Sequence, residues 1–319
     1  MSAREHQDPP VAAIDCGTNS IRLLIARADP SGPGLVDLER HMEIVRLGQG
    51  VDRTGRFDPA AVERTLDAAR RYGRLIEHHG ARRLRFTATS ATRDATNRDL
   101  FISGIREILG VEPEVISGEE EAELSYRGAV TTLEDLPEGP RLVVDIGGGS
   151  TELVLGTDVP SHRVSLDMGS VRMTERHLAS DPPTAAEIAA AAADIDSLLD
   201  RAAQQLPLES TSVLVGVAGT VTTVTALAMG VTEYRPDVTH GARLDIDETV
   251  ELCERLLAMP RAERAELSAI HPGRIDVIGA GALIWSRVAR RLQSTADLQV
   301  YRTSEHDILD GIALSLLPV

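Results

Sequence analysis

The sequence predicts an α/β protein built from two related halves. Three observations carry this expectation. Short apolar runs alternate with stretches of helical spacing, a Gly-rich loop interrupts an apolar run once in each half, and a shift of 130 residues lays one half on the other. Under that shift Asp15, Gly17, Ser20 and Leu23 fall on Asp145, Gly147, Ser150 and Leu153. These are turn-forming and polar residues, which chance apolar alternation does not supply. With 319 residues, 42% of them hydrophobic, the chain has room for roughly two domains of about 100–200 residues each.

In the first half, the apolar run 11–15, the break at Gly17-Thr18-Asn19-Ser20 and the renewed run 21–26 read as a hairpin with a tight loop. A third strand is expected around 36–45, beyond a Pro/Gly-rich turn. Val62, Leu66, Ala69 and Leu75 give 59–78 helical spacing, and a strand over 83–89 and a helix over 97–109 follow. The segment 131–140, with Pro137, Gly139, Pro140 and three acidic residues, reads as the linker. The pattern restarts near Arg141. A helix over 184–204, a buried strand over 212–217, a helical stretch to 230, helices over 249–258 and 275–291, a strand at 300–301 and a last helix over 305–317 are expected in turn. Domain limits of 1–130 and 131–304 result, with the segment 305–319 packing back on the first domain.

Composition and charge exclude whole classes of function. Arg supplies all 33 basic residues against 49 acidic ones, for a net charge of −16, which argues against a coat for nucleic acid or an anionic membrane. Without a single Lys, the chain cannot be a Walker A protein, a protein kinase or a Schiff-base enzyme. Cys16 and Cys253 stand far apart, so neither a disulfide framework nor a zinc site is expected. Residues 1–10 are polar, with no apolar stretch of a signal peptide, and no apolar run approaches the ~18 residues of a membrane span. A cytoplasmic protein with no membrane or nucleic-acid partner is expected.

The loops carry the chemistry. In Asp145-Ile146-Gly147-Gly148-Gly149-Ser150-Thr151-Glu152, three glycines let backbone N–H groups approach an anion with no Cβ in the way, and hydroxyls add donors. Asp145 and Glu152 flank the loop with hard oxygens suited to Mg²⁺. The plainer alternative is a hairpin turn with solvated carboxylates. In the first copy Thr18, Asn19 and Ser20 supply donors, and Arg22 stands where the second copy has Glu152. The loops have thus diverged to opposite charge, as a phosphate jaw facing a metal jaw requires, although a surface Arg on a strand leaves the same trace.

Ser117 and Glu120 form a capping-box pattern, which accounts for Glu120 and leaves Glu119 or Glu121 to point into a cleft and orient a water. Arg93 closes a strand-to-loop segment, where α/β proteins bind ligands, and is a phosphate-clamp candidate. Gly219-Thr220 reads equally as a phosphate loop or as an N-capped helix start. His240 and His271 lack metal spacing and read as structural.

Together, residues 13–22, 116–122, 144–152 and 218–220 resemble the exopolyphosphatase/guanosine-pentaphosphate phosphatase family, in order and over nearly the whole chain. The resemblance implies two ribonuclease-H-like domains of the actin-like ATPase superfamily around a central cleft. It also implies Mg²⁺-dependent hydrolysis of a terminal phosphoanhydride, of inorganic polyphosphate or of the 5′ γ-phosphate of guanosine pentaphosphate. By motif, Glu121 matches the family's proposed base and Arg93 its substrate-contacting Arg. Gly17 to Ser20 and Gly147 to Ser150 match its phosphate-binding hairpins, and Asp145 and Glu152 the acidic groups around its metal. The family also makes a homodimer an expectation.

Two departures stand out. Cys16 replaces a large aliphatic residue, and Glu305 to Leu314 lacks the Arg-Glu-Gly of many members, so no contact is transferred from that segment. The chain resembles the short form of the family, which implies a preference for short polyphosphates and weak processivity. A sugar-kinase-like transferase and a catalytically silent sensor are the remaining alternatives.

Overall fold

The structure is a computed structural model that describes residues 9–233 and 235–317. Residues 1–8 of the polar start and the last two residues of the expected C-terminal segment lie outside the described residues. Two sheets repeat one plan. In the first, β1 (Val11–Cys16), β2 (Ser20–Ala28) and β3 (Leu35–Ile44) form an antiparallel meander, and β4 (Arg83–Ala88) and β5 (Glu114–Val115) extend it in parallel from β1. In the second, β6 (Arg141–Ile146), β7 (Thr151–Gly156) and β8 (Pro160–Leu166) form the meander. There β9 (Val213–Val217) lies parallel to β6 and β11 (Val300–Thr303) to β9, with β10 (Arg243–Asp245) at the edge. The ribonuclease-H-like order therefore occurs twice. Asp15 pairs across its hairpin with Arg22, and Asp145 with Glu152, so the 130-residue repeat is a repeat of structure.

Helices of eight residues or more are α1 (Pro59–His79), α2 (Asp99–Leu109), α3 (Gly118–Thr131), α4 (Ser170–His177), α5 (Ala185–Ala203), α6 (Ala218–Ala228), α7 (Ile246–Ala258), α8 (Ile278–Ala296) and α9 (Ile308–Ser315). They cover both faces of each sheet, which is why the central strands are apolar without alternation. Ala12 and Ile14 of β1 join a core with Leu66 of α1 and Phe101 of α2, while Val11 and Ala13 face Leu309 and Ile312 of α9. In β6, Leu142 and Val144 face α5, α7 and α8, while Val143 faces Ala122, Tyr126 and Ala129 of α3.

α3 departs from the expected organisation. A boundary at 130/131 assigns it to the first half, yet its apolar face belongs to the second sheet, and α9 from the end of the chain lies on the first. The two helices cross with their backbones in contact. A Cβ on Gly128 would lie 1.9 Å from the Asp307 carbonyl oxygen, and one on Gly311 2.0 Å from that of Leu124. The helix expected from 305 starts only at Ile308 because Asp307 caps it: Leu309 N donates to Asp307 Oδ1 at 3.0 Å, and Asp307 N donates to Asp310 Oδ2 at 3.0 Å. Among the described residues, no helix is long and apolar enough to cross a membrane.

Candidate active site

The two hairpins turn in the same way and face each other. Gly17 N donates to Ser20 O at 2.9 Å, and Gly147 N to Ser150 O at 3.0 Å. Each turn is held by the segment that follows the third strand of its sheet. Arg46 N donates to Asn19 O and Gly48 N to Thr18 O, while Ser170 N donates to Gly147 O and Val171 N to Gly148 O. The jaws nearly touch. A Cβ on Gly149 would lie 2.5 Å from Ser90 Oγ and 2.6 Å from Thr18 Oγ1, so glycine is what permits this approach. Asn19 Nδ2 reaches across to Gly273 O at 3.4 Å, and Arg172 of α4 reaches back to Ser90 at 3.2 Å and to Asp94.

A narrow cleft of about 90 Å³ results. Gly17, Thr18, Asn19, Ser20, Arg22, Glu121, Asp145, Gly147, Gly148, Gly149, Ser150, Gly219 and Thr220 all line it. Two expected residues do not. Arg93, expected as a substrate clamp, instead donates to Glu121 Oε2 at 2.7 Å and to Ile116 O at 3.0 Å, which fixes the Glu121 carboxylate rather than the cleft wall. Glu152, expected beside a metal, accepts from Ser165 Oγ at 2.7 Å and lies outside the cleft lining.

Arg22 is not an open phosphate donor: its Nε and Nη2 donate to Asp15 Oδ2 at 3.0 and 2.7 Å, and its Nη1 donates to Asp307. The capping box is half formed, since Glu120 N donates to Ser117 Oγ at 3.1 Å while the Glu120 side chain pairs with Arg85 at 2.5 Å. Thr220 does not cap α6. The N-cap is Val217, and Thr220 lies within the first turn, opposite Gly281. Cys16 is core packing, its thiol pushed up by burial. His240 and His271 line, with His41 and His306, a second cavity beside the cleft.

Glu121 sits in the first turn of α3, 8% exposed. Burial pushes its carboxyl above the ordinary glutamate range, Arg93 pulls it back, and Asp15 adds to the rise. Asp145, whose Oδ2 accepts from Ser125 Oγ at 2.6 Å, is pushed up to about 7 by burial and by the Asp307 carboxylate. Burial also raises Asp15, against the pull of Arg22, and holds Glu152 well above its usual range with help from Glu121 and Asp145. Arg22 is held well above its ordinary value, because Asp307 and Asp15 outweigh its burial. Carboxylates crowded in this way suit a hard cation. Asp15 Oδ1 and Thr18 Oγ1 are buried without a hydrogen-bond partner, and Asp15 and Asp145 open on the same cleft, so the donor chemistry fits Mg²⁺. Among the described residues, no three His, Cys, Asp or Glu side chains are grouped to hold a metal by themselves.

Thr89 and Ser90, hydroxyls of the strand-to-loop segment that ends in Arg93, line the cleft, and so do Asp15, Ser170, Arg274 and Ile308, which are not candidate site residues of the sequence. Of these last four, Asp15 alone carries a sequence signal, being the counterpart of Asp145 in the repeat.

Two glycine hairpins facing each other across a hydroxyl-lined cleft, with a fixed carboxylate on its wall, define a protein that handles phosphate groups. The model of the Ppx/GppA phosphatase family matches residues 24–316, and the chain belongs to that family. Exopolyphosphatase 2 of Mycobacterium tuberculosis is 49% identical over 316 residues, which cover 96% of this chain and 98% of that protein. The guanosine-5′-triphosphate,3′-diphosphate pyrophosphatase of Aeromonas salmonicida is 33% identical over 282 residues, covering 88% of this chain and 54% of that protein. A crystal structure described as an exopolyphosphatase-like protein is 48% identical, with a TM-score of 0.92, and the match covers 96% of this chain and 97% of that one.

Proposed function

We propose that the protein is an exopolyphosphatase, releasing the terminal phosphate of inorganic polyphosphate, with Glu121 orienting the attacking water. The observation that carries this is the position of Glu121: fixed by Arg93, on the wall of a cleft whose two sides are the glycine hairpins. The similarity to a protein named exopolyphosphatase over nearly its full length supports the same reading. Phosphoryl transfer passes through a loose transition state, so catalysis rests on positioning and charge neutralisation more than on a strong base. Thr18, Ser20, Ser150 and the glycine backbones would orient the terminal phosphate, and Glu121 would accept the proton of the incoming water. Mg²⁺, held by Asp145 with Asp15, would supply neutralisation of the anionic phosphates. Glu152, away from the wall, would act through Asp145.

One observation favours a second reading, hydrolysis of guanosine pentaphosphate. The cavity beside the cleft, of about 770 Å³, has apolar, histidine and carboxylate walls and room for a nucleoside. Orthophosphate release with Mg²⁺ from tripolyphosphate, long polyphosphate and guanosine pentaphosphate separates the two. Turnover of the inorganic chains supports the first reading, and turnover of the nucleotide alone replaces it with the second.

A further inference from the structure

The chemistry proposed above gives Asp307 no part, although the fold holds this carboxylate buried beside the cleft and fixes it at three points. Its Oδ1 caps α9 by accepting from Leu309 N at 3.0 Å, and its backbone N donates to Asp310 Oδ2 at 3.0 Å. Its carbonyl lies against Gly128 of α3, where no methyl group fits. With the backbone and Oδ1 committed, Oδ2 is turned toward β2, where it accepts from Arg22 Nη1.

The pairing of Arg22 with Asp15 shows what this contact does. A guanidinium and a carboxylate ordinarily form two parallel N–H···O bonds, one to each oxygen. Here Nε and Nη2 both donate to Asp15 Oδ2, at 3.0 and 2.7 Å, while Nη1 goes to Asp307. Asp15 Oδ1 is left buried without a hydrogen-bond partner, on a side chain that lines the cleft with Asp145. A buried carboxylate oxygen in that condition is costly unless something completes it. The Asp307 carboxylate also raises both Asp15 and Asp145, as expected of three carboxylates gathered near one guanidinium.

We propose that Asp307 is a positioning residue for the cation site: by drawing Arg22 Nη1 toward α9 it keeps the guanidinium off Asp15 Oδ1 and leaves that oxygen to Mg²⁺. It touches no reacting atom and acts through Arg22 and Asp15. The proposal rests on the Mg²⁺ reading above and is independent of whether an inorganic chain or a nucleotide is hydrolysed. It gives the returning end of the chain a part in the site, since α9 brings to β2 the carboxylate that anchors Arg22.

Two variants test it. Asp307→Asn keeps the helix cap, because Asn caps as well as Asp, and sets an amide N–H₂ where Arg22 needs an acceptor. Asp307→Glu keeps the charge and shifts it by one methylene. Arg22 retains Asp15 in both, so its charge stays matched. Calorimetric titration with Mg²⁺ at about pH 8, without substrate, reads the affinity where protons compete least. The Kd rises about tenfold or more in both variants, the lower range for groups that orient a metal ligand. Phosphate release by Asp307→Asn approaches that of the wild type as Mg²⁺ is raised, whereas damage to the fold alone lowers kcat at every Mg²⁺ concentration. A crystal structure of Asp307→Asn shows Arg22 paired with both Asp15 oxygens.

Unchanged affinity in both variants would overturn the assignment. So would a loss confined to Asp307→Asn, which makes charge rather than anchoring the cause, or a loss of kcat that Mg²⁺ does not restore. A wild type that binds no Mg²⁺ overturns it as well, and leaves the exopolyphosphatase reading to stand or fall on phosphate release.

Discussion

Glu121→Gln separates catalysis from stability, because the structure predicts that the two move in opposite directions. Gln keeps the shape of the side chain and an oxygen that accepts from Arg93 Nη1, now 2.7 Å from Glu121 Oε2, but it cannot take a proton from water. A positioned base is worth about 10²–10⁴ in rate. The loose transition state of phosphoryl transfer asks little of it, so the loss in kcat lies near the lower end, about 10², or about 2.7 kcal/mol of barrier.

Stability follows from the raised carboxyl. Between the ordinary value of 4.5 and its raised folded value, the folded protein holds a proton that the unfolded chain has lost, so this group weakens the fold as pH rises. The penalty is absent below the ordinary value and complete above the raised one. The Gln variant never ionises there, so it melts level with the wild type near pH 4 and above it near pH 8, without added metal. Phosphate release and thermal denaturation on the same preparations are the assays. A variant that keeps kcat within about fivefold of wild type, or melts lower at alkaline pH, would refute the reasoning.

Three further outcomes are expected. The kcat/KM of the wild type falls on the acid side with a midpoint above 4.5, and Arg93→Met moves that midpoint to higher pH, because Arg93 now pulls the carboxyl down; a pH–rate profile of both proteins checks this. Gly149→Ala puts a methyl group 2.5 Å from Ser90 Oγ and 2.6 Å from Thr18 Oγ1, wedging the jaws apart, so kcat/KM falls by at least about tenfold while the melting temperature changes little. Gly128→Ala forces a methyl group to within 1.9 Å of the Asp307 carbonyl at the crossing of α3 and α9, and chemical denaturation shows a loss of about 3 kcal/mol or more.

The repeat was the most legible feature of the sequence because it is local. A strand, a tight loop and a strand lie within about fifteen residues, and the loop residues Gly17, Ser20, Gly147 and Ser150 are the ones that close the turns through Gly17 N and Gly147 N. The long helices were legible for the same reason: the pattern over 59–78 and 184–204 matches Pro59–His79 and Ala185–Ala203 closely. β8 and α4 went unread. β8 shows only Val164 and Leu166 to the core, and α4 is short and charged.

What the sequence concealed was convergence over long separations. Nothing near Asp307 announces that its carboxylate meets Arg22, a contact made only because α9 returns to the first sheet. His240 and His271 read as isolated residues, yet they share one cavity with His41 and His306. Ser117 and Glu120 show the opposite failure. The local pattern was correct, but Arg85, 35 residues away in sequence, took the Glu120 side chain for itself.

The central claim is that a water aimed by Glu121 removes phosphate from the end of a chain held between the two hairpins. Its most direct test is the first product formed from polyphosphate of a single length, with Mg²⁺ and ¹⁸O-labelled water. The account predicts orthophosphate carrying the label and a chain shorter by one phosphate as the earliest products. Fragments of intermediate length at early times, or a chain that binds and is never shortened, would contradict it.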